Sequence, residues 1–230
     1  LIMELAQNGS LADLLRAIRS ALGPPEYDNT YRQIILIGIS RGMKYLHDHF
    51  IIHRDLSTSN VLLNENLQPI ITDFGLSKFI ESGFPKNQSI YGGKHQYMAP
   101  EIIVFQPYDF KVDVYAFGIV MYEVVMDLVP YPEFEAGKIS DYELKDKVVK
   151  MNYRPIFSKP IKKSIRSLIE RCWSPDPEDR PTFREIFQKL AKKDSDCILN
   201  NVDYQKVEEY VSSISDATDF YEKLNEKVES

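Results

Sequence analysis

Apolar positions in the first fifty residues recur with a helical period. Leu11, Leu14, Leu15, Ile18 and Leu22 stand at i, i+3, i+4, i+7 and i+11, which predicts an amphipathic helix ended by Gly23-Pro24-Pro25. Ser10 and Asp13 have capping-box spacing at its start, with Asp in place of the usual Glu or Gln. A second helix is expected over roughly 28–49, with Ile35, Ile39, Gly42 and Leu46 on one face. Apolar residues at 34, 36 and 37 predict burial on further sides. Between 50 and 75 the period shortens. Phe50-Ile51-Ile52, Val61-Leu62-Leu63 and Pro69-Ile70-Ile71-Thr72 read as short strands, with a hairpin turn at 64–66. Residues 76–100 look irregular. Helical patterns return at about 112–127, 140–151, 161–173 and 181–193, with prolines between them.

Composition narrows the classes. The chain has 230 residues, of which 43% are apolar and 27% charged, enough apolar surface to exclude intrinsic disorder. Cys172 and Cys197 are too few for a disulfide scaffold, and a cytoplasmic setting is expected. The longest uncharged run in an apolar stretch, Val114 to Tyr122, is nine residues, which argues against a membrane span. The formal charge of −6 gives no basic field for nucleic acid. That charge is unevenly placed. From Asp194 onward ten acids face three lysines, a net −7, so residues 1–193 carry +1. Val207, Tyr210, Val211 and Ile214 form one helical stripe in this tail, and Phe220, Leu224 and Val228 another. They read as short helices that pack on the body or fray, or else as a partner-binding segment.

Candidate chemistry lies in four short segments: His53 to Asn60, Asp73-Phe74-Gly75, Met98 to Glu101, and Arg180-Pro181. Asp55 and Asn60 are five residues apart in a loop, so their side-chain oxygens can converge. Asp73 ends a strand and is followed at Gly75 by a residue that allows a sharp turn. Two carboxylates and an amide oxygen are hard ligands suited to Mg²⁺ carrying phosphate. The histidines at 47, 49 and 95 show no metal spacing with cysteine, and the sequon at Asn87 reads as accidental.

In order and spacing these segments resemble the eukaryotic protein kinases, over roughly residues 1–193. Tyr97-Met98-Ala99-Pro100-Glu101, Asp113 to Gly118, Cys172 to Pro177 and Arg180 to Phe183 are most similar to the tyrosine-kinase-like group. The resemblance implies a mainly α fold. It would be the helical carboxyl-terminal lobe of a kinase around 113–126, with a small β element carrying the catalytic loop and a short helical tail at 194–230. It also implies ATP and Mg²⁺, a protein substrate, and phosphoryl transfer to serine or threonine. Asp55 would receive or orient the substrate hydroxyl proton, while Asn60 and Asp73 would hold the metal. Leu62 would floor the adenine and Met3 would stand beside it. Glu4 and Ala6 would offer hinge backbone groups, with Ser10 and Asp13 near the ribose. His53 and Phe74 would stack, Asp113 would anchor the catalytic loop, and Glu101 would pair with Arg180. Arg54 beside Asp55 implies a phosphate-ordered activation segment, with Ser89 the first candidate and Ser77, Ser82 and Tyr91 others.

Departures from the family pattern carry their own expectations. No two of the ten glycines are spaced G-x-G, and Lys44 is the only lysine before the catalytic loop. The glycine-rich loop and the strand lysine are therefore expected upstream of Leu1 in a longer parent, and this chain alone should phosphorylate nothing at a useful rate. Ser57 stands where serine/threonine kinases place a lysine, and Lys94 stands where they place a threonine. One reading is a swap in which Lys94 supplies the missing cation from the activation segment; the other leaves it in solvent. The rival functions are a non-catalytic kinase-like scaffold and a helical adaptor acting through its tail.

Overall fold

A computed structural model describes residues 6–79 and 93–214. The expectations placed on Met3, Glu4, Ser82, Asn87, Ser89, Tyr91 and the second tail stripe lie outside those residues.

Helix α1 (Leu11–Arg19) begins at a true capping box: Ser10 accepts from the Asp13 backbone, and the Asp13 side chain accepts from the Ser10 backbone. The helix stops short of Leu22, which is 80% exposed, so that residue belongs to the turn and not to the apolar stripe. Helix α2 (Asn29–Asp48) is capped by Asp28 and buries Ile34, Ile35, Leu36, Ile37 and Ile39, as the all-round apolar pattern requires. Strand β1 (Ile51–Ile52) omits Phe50, whose positive φ of 59° turns it out to solvent. Strands β2 (Val61–Leu63) and β3 (Pro69–Ile71) form an antiparallel hairpin with Val61 opposite Ile71. The Asn64 side chain closes its turn by accepting from the Asn66 and Gln68 backbones. Strand β4 (Lys78–Phe79) pairs with β1.

The short helix α3 (Pro100–Ile103) leads to α4 (Lys111–Met126), the apolar helix at the centre of the molecule. From Val112 to Val124 every residue of α4 is buried, which explains why its sequence shows no polar face. A single turn, α5 (Pro132–Glu135), and then α6 (Asp141–Lys150), α7 (Lys163–Cys172) and α8 (Phe183–Ala191) complete the body. One core runs through α1, α2, the hairpin, α4, α7 and α8, and a small satellite of Tyr131, Leu144 and Val148 lies under α6. A further helix, α9 (204–214), buries Val207 and Tyr210 against the main core. The architecture is mainly α with two two-stranded sheets among the described residues. No helix among them is long and apolar enough to cross a membrane.

Candidate active site

The loop between β1 and β2 is held from below by one carboxylate. Asp113, on α4 and 1% exposed, accepts from the backbones of His53 and Arg54 at 2.9 Å each and from His47 Nε2 at 2.9 Å. A buried carboxylate without such donors would cost several kcal/mol. His53 is fully buried, and its partners fix its tautomer. Nε2 donates to the Thr72 carbonyl at 3.0 Å, which leaves Nδ1 to accept from the Asp55 backbone at 3.3 Å. The Phe74 ring stands 5.3 Å from the His53 ring, so the two expected stacking partners do meet.

Asp55 and Asn60 converge as the loop spacing requires. Asn60 Nδ2 donates to the Asp55 carbonyl at 2.7 Å and to its Oδ2 at 2.8 Å. With both amide protons committed, Asn60 keeps Oδ1 as an acceptor. Asp55 likewise keeps Oδ1, and a Cβ built on Gly93 would lie 3.5 Å from that atom. Gly93 has a φ of 90°, a conformation in which any side chain is strained, so its bareness both permits the turn and leaves the oxygen open. Asp73 is exposed at the end of the hairpin, with left-handed backbone (φ 61°) and Oδ1 accepting weakly from Gly75 at 3.3 Å. The hairpin ties the two oxygen donors together, because Thr72 donates to the Asn60 carbonyl through its backbone at 2.9 Å.

Lys94 enters from the opposite side. Its Nζ donates to Ser57 Oγ at 3.2 Å, and the side chain is half-buried rather than extended into solvent. Burial pulls its ammonium below the ordinary 10.5, while the negative charges of Asp55, Glu123 and Asp73 push the other way. The turn that carries Lys94 is pinned from two sides. His95 Nδ1 meets Asp141 on α6 at 2.9 Å, and Tyr97 bonds both Thr58 and Glu123. A cavity of about 20 Å³, room for about one water, lies between Asp55, Lys94 and Tyr97.

The residues expected on the nucleotide side gather less tightly. Ser10 makes an antiparallel bridge with Leu62, and the chain beside it is bonded to β2 through Asn8 to Leu63 at 3.1 Å and Leu63 to Gly9 at 2.9 Å. Ala6 is half-buried at the start of this segment. Ser10 and Asp13 bond each other at 2.6 Å and Asp13 also holds Arg16 at 2.6 Å, so both side chains serve the α1 cap in this structure.

The expected ion pair is buried and bidentate: Arg180, 0% exposed, meets the two oxygens of Glu101 at 2.6 and 2.9 Å. Arg54 donates to the Leu76 carbonyl and, at 3.3 Å, to the Tyr108 hydroxyl.

The comparisons agree with this geometry. The family of protein tyrosine and serine/threonine kinases matches residues 1–190. The chain belongs to that family. It is 37% identical over 164 residues to the serine/threonine/tyrosine-protein kinase HT1 of Arabidopsis thaliana, covering 71% of this chain and 40% of that protein. It is 35% identical over 189 residues to the RGS domain-containing serine/threonine-protein kinase A of Dictyostelium discoideum, covering 82% of this chain and 16% of that protein. The dual specificity protein kinase shkB of the same organism is also 35% identical over 189 residues, covering 81% of this chain and 28% of that protein. The chain thus spans two fifths or less of the length of these relatives.

Within this kinase chain, Glu123 is the site residue that sequence reasoning missed. It is 4% exposed on α4, and it accepts from Tyr97, from Thr58 at 3.3 Å and from Arg19 at 3.0 Å. Burial raises its carboxyl above the ordinary 4.5, against those three donors. The available signal was a lone acid closing the nine-residue uncharged run of α4.

Proposed function

We propose that this chain carries the catalytic half of a protein kinase active site, which transfers the ATP γ-phosphoryl group to serine or threonine hydroxyls of a protein. The observation that carries the reading is Asp55, tied through Oδ2 to Asn60 with its Oδ1 open, across from Lys94. In this reading Asp55 Oδ1 takes the proton of the substrate hydroxyl as that oxygen bonds to the γ-phosphorus and the bond to the ADP oxygen breaks. Lys94, from the segment side, places the cation that Ser57 lacks beside the forming charge. Ala6, Ser10, Asp13 and Leu62 form the nucleotide side, with Glu4 beyond the described residues.

A divalent cation, Mg²⁺ in our reading, fits the donor set. Asn60 Oδ1 and the exposed Asp73 carboxylate are hard oxygens suited to such a cation. No cluster of three or more His, Cys, Asp or Glu able to hold a metal occurs among the described residues, so phosphate oxygens would complete the shell. When bound, the cation neutralises charge on the phosphates. The two free, buried cysteines fit a reducing, cytoplasmic setting.

We also infer that residues 1–193 form the kinase domain and 194–230 an acidic tail, whose first part packs into the body. Any partner of that tail would meet outward side chains such as Glu208 and Glu209, both exposed. A scaffold that never binds metal gives no reason for Asn60 and Asp73 to hold open oxygens.

The test is incorporation of labelled phosphate with and without divalent cation. Residues 1–230 alone should show none at a useful rate, because they contain no G-x-G loop and no lysine on a strand before the catalytic loop. A product that also carries those parts should phosphorylate serine or threonine, and Asp73→Asn should abolish it. Unchanged activity in that variant would sink the reading.

A further inference from the structure

Residues beyond the family match bear on the metal-binding hairpin from behind. The chain leaves α8 and is bonded to the first turns of α2 at several points. Gln33, 0% exposed, spans from the Leu190 carbonyl at 2.7 Å to the Leu199 backbone N–H at 3.0 Å. Asn29 donates to the Asn200 carbonyl at 2.8 Å, and Thr30 accepts from the Asp203 backbone at 3.0 Å. Lys206 reaches the Tyr31 hydroxyl and lies over its ring at 3.9 Å. Cys197, Ile198, Leu199, Val202, Val207 and Tyr210 are all buried by this path. A segment with that many desolvated side chains and saturated backbone groups is part of the folded body.

Its end and the hairpin approach the same place on α2. A Cβ built on Gly38 of α2 would stand 2.3 Å from Tyr210 Oη and 2.5 Å from Pro69 Cγ. Helix α2 has a gap there, and the tail and β3 both close onto it. Pro69 opens β3, and the residues after β3 are Thr72, bonded to the Asn60 carbonyl, and Asp73. Two strands of three residues are marginal by themselves. All three residues of β3 are only half-buried, so what packs behind them decides how firmly the hairpin holds its register.

We propose that α9 is a brace for this hairpin and that Tyr210 is a positioning residue, setting β3 so that Asn60 and Asp73 face one divalent cation. The proposal rests on the reading of those two residues as metal ligands. Tyr210 touches no substrate. It acts through Pro69 and β3.

The experiment follows amide hydrogen exchange by NMR in residues 1–230, for the parent, Tyr210→Ala, Tyr210→Phe and, as a remote control, Val148→Ala. Val148 lies in the satellite core under α6, away from the hairpin. Tyr210→Ala should speed exchange of the Thr72 and Leu63 amides about tenfold or more relative to amides of α7. Tyr210→Phe, which keeps the ring but loses the oxygen nearest Gly38, should restore most of the parent rate, and Val148→Ala should leave Thr72 slow. No change at Thr72, or the same acceleration in every core amide, overturns the brace. If Tyr210→Ala does not fold, Tyr210→Leu asks the same question, since it keeps apolar volume in the core and removes the reach to Gly38. Mn²⁺ line broadening at Asn60 and Asp73, read with ATP present to supply the phosphate oxygens, is the separate arm. Broadening that weakens in Tyr210→Ala and returns in Tyr210→Phe supports the positioning role. No broadening in the parent overturns the metal reading, and with it that role, while the exchange rates still report whether the brace exists.

Discussion

Asp113 and Glu101 lie in the body and Asp55 and Asp73 at the cleft, and the four differ in how fully their oxygens are used. Asp113 takes three donors on two oxygens, and both oxygens of Glu101 are held by one guanidinium. Among the described residues, Asp55 is hydrogen-bonded through Oδ2, and Asp73 through one long bond from Gly75. The buried pair are 1% and 6% exposed, and an ion in that setting survives only when its lone pairs are satisfied. The cleft carboxylates are kept solvated and incompletely bonded, which leaves capacity to accept a proton or hold a cation. Partner count, more than residue type, separates the structural carboxylates from those we propose for the chemistry.

The sharpest way to break that contrast is to neutralise one member of each class. Asp55→Asn, in a product with a complete nucleotide cleft, should lower the rate about 10²–10⁴-fold. Its stability should stay within about 0.5 kcal/mol of the parent by urea unfolding. Arg180→Ala should do the reverse to the body, costing about 3–5 kcal/mol by leaving Glu101 buried and unpaired. Replacing both partners, Glu101→Leu with Arg180→Met, should cost less than Arg180→Ala alone. A double variant weaker than the single would mean the pair stabilises in its own right.

Glu123 belongs with the buried, fully bonded class, yet the sequence did not reveal it. Elements governed by local pattern were legible: the Ser10–Asp13 cap, the all-round burial of α2, and the hairpin turn at 64–66. The site loops were legible through order and spacing, because Asp55, Asn60 and Asp73 are brought together by a short hairpin. What the sequence hid depends on partners far along the chain. Glu123 meets Arg19 from 104 residues away, His47 meets Asp113 across 66, and Gln33 receives Leu199 across 166. No periodicity encodes such pairings. Leu22 was misread for the opposite reason: it fits the helical period, but the helix ends before it.

Glu123→Ala should cost about 1–3 kcal/mol, since it strands the Tyr97 and Thr58 hydroxyls and the Arg19 guanidinium together. Glu123→Gln keeps an acceptor and should recover more than half of that loss. The folded carboxyl is raised above 4.5, so the folded state holds this proton more firmly than the unfolded chain. Its contribution to stability is therefore greatest at low pH and is lost as pH rises through the folded value. In Glu123→Gln that part of the pH dependence should vanish from a urea-unfolding series between pH 4 and 7.

The smallest effect is the most diagnostic for Lys94, because stability and charge should respond to alkali in opposite directions. Burial sets its ammonium below 10.5, so the folded state gives up this proton at a pH where the unfolded chain still keeps it. The group's contribution to stability accordingly rises with pH in the window just under 10.5. The positive charge beside Asp55 is lost over the same window. Titrating amine acylation of residues 1–230, with the product peptide of Lys94 quantified by mass, should give a midpoint below 10.5. The exposed Lys150 provides the contrast, since its bond to Asp146 raises it above that value. Ser57→Ala should leave Lys94 below 10.5, because desolvation, and not the Ser57 hydroxyl, is the largest cause. If Lys94 instead acylates like a fully solvated amine, it is not held in the cleft, and the relocation of the cation from Ser57 to Lys94 fails with it.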